Sequence, residues 1–368
     1  MKLAAIIFFS PLMALGQGLF IKGATTMSIS ANTVFAVKGD VLIEGTLVNN
    51  GDFQISGAWQ NDGQYEAGQG EFTLSSSGDQ VINHNAQSFN KLTITGGGNK
   101  LFLADLTILE TLTLTDGRMV SQNDAMIHLE RGVGIAGGSP QSHIVGRISR
   151  NDSGSILFPL GNGVDYLPIT ITTEQVESIS ALLVEPNPIS ETDFTLSDID
   201  DSRTWRVDFD DDAPREFSLQ LPWNSSATFT DPAIAFTSGD FYTAVSPLSI
   251  NGSLAVSDPF NSSSGLYTIG QVGTMNELPN IRVFNLVTPN GDGIHDFLKI
   301  ENIEAYPSNT VSIFNRWGDM LMEVEGYDNA SKKFEGTKSG TLIPDGTYFY
   351  VVKDGRGKKI SGFFELRR

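Results

Sequence analysis

The chain has 368 residues, of which 40% are hydrophobic and 38 are glycines, and its formal net charge at pH 7 is −19. The length predicts two or three domains, and the apolar fraction argues against a disordered chain. The negative charge argues against nucleic acid and anionic lipid surfaces as partners, and the lack of cysteine excludes disulfides, thiolate zinc sites and a lipoprotein anchor.

Residues 1–16 are predicted to be a signal peptide. Lys2 precedes an apolar run from Leu3 to Phe9, and the segment ends in the small-x-small pattern Ala14-Leu15-Gly16. The apolar run is shorter than the roughly 20 residues that a membrane-spanning helix needs, and no later segment is long and apolar enough. We therefore expect an exported protein without a membrane-spanning segment.

Residues 39–68 repeat with a period of six. Glycine recurs at five positions, and each is followed two residues later by an apolar side chain: Gly39 and Val41, Gly45 and Leu47, Gly51 and Phe53, Gly57 and Trp59, Gly63 and Tyr65. A short fixed period is typical of repeat architectures. Alternation predicts short strands, and glycine permits a bend between them. The pattern predicts a β-solenoid over residues 17–136, with the apolar side chains stacked inside.

The favoured form of this solenoid is an irregular right-handed parallel β-helix with coils of about 18 to 22 residues. The regular period ends after Gly63, but alternating apolar pairs continue along the chain. A β-sandwich with short hairpins is the alternative. Trp59 and Tyr65 are expected to be buried in the core of the solenoid. If their rings were exposed instead, they would be platforms for binding sugars.

Residues 137–273 are predicted to form an acidic antiparallel β-sandwich. Eight short alternating segments, separated by turn-forming residues, are typical of that fold: HIVGRISR, SILFPLG, YLPITIT, SALLVEP, TWRVDF, EFSLQLPW, AIAFT and GLYTIG. Residues 133–278 hold 19 acidic and 5 basic residues. Trp205 and Trp223 are predicted core residues. The acid run Asp208–Asp212 is predicted to be a solvated loop, with a calcium site as the alternative.

Residues 279–368 carry the most specific motifs of the chain and hold 12 acidic and 12 basic residues. The signature consists of Pro289, Asn290, Gly291, Asp292, Gly293, Asp296, Asn315, Arg316, Trp317, Gly318, Pro344, Asp345, Gly346, Tyr348 and Tyr350. Over residues 280–368 the chain resembles the gliding motility-associated C-terminal domain of Bacteroidota, the type B sorting domain for type IX secretion. The resemblance implies an Ig-like β-sandwich that is recognised by the outer-membrane secretion machinery. It also implies passage through the periplasm to the cell surface or the medium.

Three features of this region also have a physical interpretation that does not depend on the family resemblance. Asn290, Asp292 and Asp296 have the spacing of part of a calcium loop, but a tight turn with side-chain caps explains the same residues. Arg316 and Trp317 suit either a cation–π pair or separate roles. A strand after the Pro344 turn is expected to place alternate residues on opposite faces, with the two signature tyrosines on the same one.

The sequence predicts a non-catalytic secreted or cell-surface protein: an adhesin, a structural component or a binder of glycan or matrix. Polysaccharide cleavage requires paired carboxylates, whereas the solenoid's acidic residues fall at corners and strand ends: Asp40, Glu44, Asp52, Asp62 and Glu66. We therefore name no catalytic residue and expect no cofactor other than calcium. The alternative is a secreted polysaccharide lyase or hydrolase that uses one face of the β-helix.

Overall fold

A computed structural model describes residues 18–193, 195–211, 213–223, 229–273, 281–291, 294–338, 340–355 and 358–368. The predicted signal peptide, residues 1–16, lies outside these ranges. Within these ranges the elements are β-strands and one short 3₁₀ helix, which confirms the prediction of an all-β protein. No helix within the described ranges has the length and apolar character needed to span a membrane.

The chain divides into two compact units. The first comprises the described residues up to Ser190 together with Ile199–Asp240 and Ala244–Gln271. The second comprises Glu191–Asp198, Phe241–Thr243 and the described residues from Val272 to Arg368.

The first unit begins with a stack of coils built from short parallel strands. These are β1 (Leu19–Ile21), β2 (Thr26–Ile29), β3 (Val34–Val37), β4 (Val41–Ile43), β5 (Thr46–Asn49), β6 (Asp52–Ile55), β7 (Trp59–Asn61), β8 (Gln64–Glu66), β9 (Glu71–Leu74), β10 (Gln80–Asn83), β11 (Ser88–Ile94), β12 (Asn99–Phe102), β13 (Leu106–Leu114), β14 (Arg118–Ser121), β15 (Met126–Leu129), β16 (Gly134–Gly137) and β17 (Ile144–Val145). One sheet has the order β1-β4-β7-β10-β12-β14-β17, and a second has the order β2-β5-β8. A third runs from β3 through β6, β9, β11 and β13 by parallel pairing. The predicted solenoid is confirmed.

The six-residue period corresponds to one side of a three-sided coil. Val41, Leu47 and Phe53 lie on strands of three different sheets. Three periods after Val41 the chain returns to the first sheet, where Trp59 of the next coil lies opposite Val41. Tyr65 lies opposite Leu47 in the same way. All five side chains are buried, so the repeat builds the core.

Close approach of the backbone explains four of the five repeat glycines: Gly45, Gly51, Gly57 and Gly63. All five lie at bends between strands, as predicted, but none has a positive φ, so the backbone conformation of the bend does not itself require glycine. A Cβ atom on Gly45 would lie 2.3 Å from the Thr25 carbonyl oxygen, and one on Gly63 would lie 2.1 Å from the Gly45 carbonyl oxygen. Successive coils therefore pass too close together at these corners for any side chain.

Antiparallel strands complete the first unit. They are β18 (Arg147–Phe158), β19 (Ile169–Val184), β21 (Thr204–Phe209), β22 (Arg215–Pro222), β23 (Pro232–Thr237), β24 (Thr243–Asn251), β25 (Leu254–Ser257), β26 (Phe260–Ser262) and β27 (Gly265–Val272). Strand β20 (Leu196–Ile199) begins in the Glu191–Asp198 segment of the second unit. The start of β18 pairs in parallel with β15, and its full length pairs antiparallel with β19. Several predicted short segments are thus parts of two long strands, with an irregularity between Asp152 and Gly154. One apolar cluster extends from Leu19 to Ile269, and it includes the predicted core residue Trp205.

The second unit contains a five-stranded sheet in the order β29-β36-β35-β31-β32 and two smaller pairs of strands. Its strands are β28 (Arg282–Val283), β29 (Leu286–Val287), β30 (Ile300–Glu301), β31 (Thr310–Phe314), β32 (Met320–Glu325), β33 (Thr337–Lys338), β34 (Thr341–Leu342), β35 (Gly346–Lys353) and β36 (Lys359–Leu366), and the 3₁₀ helix is Ile303–Ala305. A separate apolar cluster fills this unit, with Val311, Tyr348 and Phe364 among its members.

Candidate functional site

The first signature loop follows β29 and closes on itself through hydrogen bonds. The Thr288 amide donates to the His295 carbonyl at 2.7 Å, and the Gly291 amide donates to Asp296 Oδ1 at 2.6 Å. Gly291 and His295 both adopt positive φ, at 80° and 58°. A carboxylate that caps a backbone amide is the arrangement predicted for a tight turn.

The calcium prediction at Asn290, Asp292 and Asp296 stays a prediction, because Asp292 and its neighbour Gly293 lie outside the described residues. Within the described ranges, no three His, Asp or Glu side chains are grouped closely enough to hold a metal ion. What Asp296 does in this structure is cap the Gly291 amide.

The second signature motif is the turn that joins β31 to β32. Asn315 Oδ1 accepts hydrogen bonds from the amides of Trp317 and Asp319, each at 2.9 Å. Gly318 supplies the positive φ, 85°. The Arg316 guanidinium carbon lies 5.2 Å from the centre of the Trp317 ring, so the two residues form the cation–π pair of the first alternative. The Trp317 side chain is 77% exposed.

The third signature motif is the turn before β35, and it is fastened to the last residue of the chain. The Pro344 carbonyl accepts a hydrogen bond from the Tyr348 hydroxyl at 2.7 Å. Asp345 accepts a hydrogen bond from the Arg368 amide at 3.2 Å. Gly346 leaves room for Arg316, whose Nη2 would lie 3.4 Å from a Cβ atom there. The second and third motifs are therefore neighbours.

The outer face of the five-stranded sheet carries an apolar row that crosses four strands. Phe314 lies opposite Met320 on one side and opposite Phe349 on the other, and Phe349 lies opposite Phe363. Met320, Phe349 and Phe363 are 46%, 44% and 56% exposed. We call these four residues the aromatic row. The exposed Trp317 stands in the turn next to it.

The carboxyl-terminal part of the second unit matches a known domain family. Residues 281–366 match the CHU_C type IX secretion signal domain. This match covers about a quarter of the chain and coincides with the predicted sorting domain. No curated protein matches the chain, and no solved structure matches it.

The core of the CHU_C domain contains a polar network that the sequence analysis did not identify. The buried Tyr327 hydroxyl donates to the Leu298 carbonyl and accepts from the Phe334 amide. Asn309 is also buried, and its side chain bonds both the Tyr327 amide and the Tyr327 carbonyl. Burial raises the pKa of the Tyr327 hydroxyl well above its ordinary value. The aromatic row was missed as well, although strict alternation after Gly346 had placed Phe349 on the face opposite Tyr348.

A second candidate site is a cavity of about 560 Å³ in the first unit. Tyr166, Trp223 and Phe229 contribute aromatic rings to its lining, and Asp165 and Arg203 contribute charged groups. The ring centres of Trp223 and Phe229 are 6.4 Å apart. Trp223, a predicted core residue, is half-buried: it packs against the apolar core cluster and also lines this cavity. Aromatic faces beside a few polar groups are typical of small-ligand sites.

The interior of the solenoid offers no platform for sugars. Trp59 and Tyr65 are 1% and 7% exposed, so the binding role considered for them is wrong. Trp59 Nε1 donates to His84 Nδ1 at 3.0 Å, and the His84 ring stacks on Phe89 with centres 3.8 Å apart. Burial lowers the pKa of His84 to about 3, so this imidazole is neutral at pH 7.

Acidic residues proposed for other roles have structural partners. Asp40 Oδ1 accepts a hydrogen bond from the Ala58 amide at 2.8 Å, which joins adjacent coils. The run Asp208–Asp212 is corrected at its start: Asp208 belongs to β21 and pairs with Arg147 at 2.6 Å and with Arg206 at 2.9 Å. These arginines lower the pKa of the Asp208 carboxyl against the opposing effect of burial. Asp212 lies outside the described residues.

Proposed function

We propose that this chain is a non-catalytic binding protein of the cell surface or the medium. Its CHU_C domain directs export by type IX secretion, and its first unit holds a glycan or another matrix component. The observation that supports the export step is the match over residues 281–366. Passage through the periplasm on a signal peptide, residues 1–16, belongs to the same proposal.

The binding role is supported by the cavity of the first unit. The half-buried Trp223 and Tyr166 rings offer apolar faces, and sugars present such faces together with hydroxyl groups. Asp165 is exposed at the rim, where its carboxylate is placed to accept hydrogen bonds from hydroxyl groups. A stack of coils with a continuous apolar core suits a rigid support for this site.

The export step is tested by expressing the full chain, and a chain that lacks residues 280–368, in a host with a type IX system. We expect the full chain on the surface or in the medium and the shortened chain in the periplasm, as measured by fractionation and blotting. Limited proteolysis of the shortened chain checks that its coils are folded. Surface delivery of the folded, shortened chain would contradict the export proposal.

The binding step is tested by sedimentation of the purified protein with insoluble polysaccharides. Trp223→Ala removes one ring of the cavity, and we expect a loss of binding of about tenfold, as for a central aromatic contact. Trp317→Ala is the matched control, because it removes a tryptophan far along the chain in the CHU_C domain. Equal binding by wild type and Trp223→Ala would contradict the cavity as the binding site.

The alternative function, a polysaccharide lyase or hydrolase, is separated by measuring products. Incubation with the polysaccharides that bind should release no new reducing ends and no unsaturated sugars if the protein is non-catalytic. Release of either product, lost on substitution of carboxylates on one face of the solenoid, would favour the enzyme.

A further inference from the structure

The aromatic row breaks the usual pattern of a sheet with one face in a core. The outer face of such a sheet is normally polar, and contiguous exposed apolar groups mark interaction sites. In the CHU_C domain, alternate residues of β35, among them Tyr348 and Val352, point into the core. Phe349 points outward between Phe314 and Phe363. The buried face supplies the core, so folding does not explain the aromatic row.

A pair of lysines lies on the same outer face. Lys353 and Lys359 are directly opposite each other on β35 and β36, and both are exposed. Like charges in directly opposite positions destabilise a sheet. Neither ammonium group has an ion pair or hydrogen bond with the described residues. We call these two residues the lysine pair.

Three carboxylates lie on the same face as the lysine pair, and none of them forms an ion pair with it: those of Glu323, Glu325 and Glu365. Glu323 accepts a hydrogen bond from the Ser312 hydroxyl at 2.9 Å, and Glu365 accepts one from the Thr347 hydroxyl at 2.6 Å. Glu325 shares the row of the lysine pair but is separated from Lys353 by Thr310. The outer face therefore presents an apolar row and, at one end of β35 and β36, a local basic spot formed by the lysine pair.

We propose that the aromatic row and the lysine pair form the surface by which the CHU_C domain docks on a protein of the type IX outer-membrane machinery. This inference rests on the export step proposed above. The partner surface has an apolar strip for the aromatic row and carboxylates for the lysine pair. Such a partner repels the strongly acidic stretch of residues 133–278, which holds 19 acidic and 5 basic residues, and so selects the CHU_C domain electrostatically.

The test uses the full chain in a host with a type IX system. Phe349→Thr with Phe363→Thr removes the centre of the aromatic row, and threonine retains a preference for strands. Lys353→Glu with Lys359→Glu reverses the lysine pair at the far end of the same face. The readout is the fraction of protein on intact cells that an added protease degrades, and thermal melting of each purified variant verifies folding.

Both double variants should deliver less protein to the surface, by about tenfold for the aromatic row, as expected for central apolar contacts of an interface. Leu342→Thr is the matched control, because Leu342 is a 65% exposed apolar residue of another sheet in the same domain. Val34→Thr, at a 69% exposed residue of the first coil, is the second control. Both controls should be delivered like wild type.

Normal delivery of both double variants, with the chain lacking residues 280–368 still trapped, would overturn the docking surface and leave the export step standing. Delivery of that shortened chain would overturn the export step itself, and the docking surface with it. The proposal would also fail if light scattering found that the wild type is a dimer, that the Phe349→Thr, Phe363→Thr variant is a monomer, and that this variant is delivered normally. The surface would then be a contact between copies of the chain. A fully folded lysine variant with reduced delivery would support it even if the row variant failed to fold.

Discussion

Glycine serves two different purposes in the two regions of this molecule. In the coils, Gly45 and Gly63 have ordinary backbone angles, but an added Cβ would lie within 2.3 Å of a carbonyl oxygen of another coil. In the CHU_C turns, Gly291 and Gly318 have open space around them and φ values of 80° and 85°. The first pair is required by neighbours in space, and the second by the backbone itself.

The difference predicts how each region responds to change. A clash between coils involves backbone atoms on both sides. It can be relieved only if a strand moves away from the strand to which it is hydrogen-bonded. A strained turn has only its own few residues to rearrange. Substitution of a close-approach glycine in the coils should therefore lower the stability of the first unit strongly. Substitution of a turn glycine should have a small, local effect on stability.

The largest effect is expected for Gly63→Ala. The new Cβ would lie 2.1 Å from the Gly45 carbonyl oxygen, and we expect the free energy of unfolding of the first unit to fall by more than about 4 kcal/mol. Urea unfolding followed by circular dichroism measures this. Gly78→Ala is the matched control, since Gly78 has nothing within 4 Å and no positive φ. Similar stability of the two variants would refute the close-approach explanation.

A smaller effect is expected on acidification, because the coils bury an imidazole. His84 has a folded pKa of about 3, against an ordinary value of 6.5, so the unfolded chain binds the proton more readily. The stability of the coils is then complete above pH 6.5 and is lost as the pH falls towards 3, by about 1.4 kcal/mol per pH unit. Urea unfolding at pH 7, 5 and 4 measures the slope.

His84→Phe serves as the control for that slope. Phenylalanine keeps an aromatic ring against Phe89 but cannot take up a proton, so this contribution to the pH dependence should disappear. The variant also loses the acceptor of the Trp59 hydrogen bond, which lowers stability equally at all three pH values. An unchanged slope would show that the acid sensitivity arises elsewhere.

Gly318→Ala should have a modest effect that is confined to the CHU_C domain. The open space around Gly318 excludes a clash, and the left-handed conformation costs an alanine about 1 to 2 kcal/mol. Asparagine tolerates this conformation better, so Gly318→Asn should lose less. Thermal melting of the two variants measures the order, and a larger loss for asparagine would contradict the conformational explanation.

The smallest effect on stability is expected for Trp317→Ala. Its ring is 77% exposed and contacts Arg316 at the surface, so the loss should stay within about 0.5 kcal/mol. Trp59→Ala provides the contrast, because that ring is buried among Phe53, Tyr65 and Phe72. Truncation of such a ring costs about 3 to 5 kcal/mol. Equal losses would contradict the assignment of Trp317 to a surface.

The periodic part of the fold was predictable because period six carries direct information about the inward positions. Val41, Leu47 and Phe53 follow from spacing alone, as does the burial of Trp59. The bends at the glycines also followed from the pattern, but the reason for glycine did not, because the close approach that excludes a side chain depends on the neighbouring coil. The break around Asp152 and Gly154 also misled the prediction, since a bulge interrupts alternation without ending a strand.

The candidate sites were predictable to different degrees. The CHU_C motifs are local in sequence, so Pro344 could be identified as a turn residue directly, whereas Asn315 was expected in a strand that in fact ends at Phe314. The aromatic row depends on register between strands, because Phe314, Phe349 and Phe363 become neighbours only after pairing. The cavity joins Tyr166, which lies between β18 and β19, to Trp223, which follows β22, and no spacing in the sequence relates them.

The position of strand β18 allows the number of coils before it to change during evolution. It pairs in parallel with β15 and antiparallel with β19, so it joins the coil ladder to the strands that follow. Each coil upstream contacts only its neighbours. A duplication of about 20 codons within that stretch would add a coil and about 4.8 Å of reach. Such a lineage could vary the length of its stack of coils while the cavity and the CHU_C domain stayed unaltered.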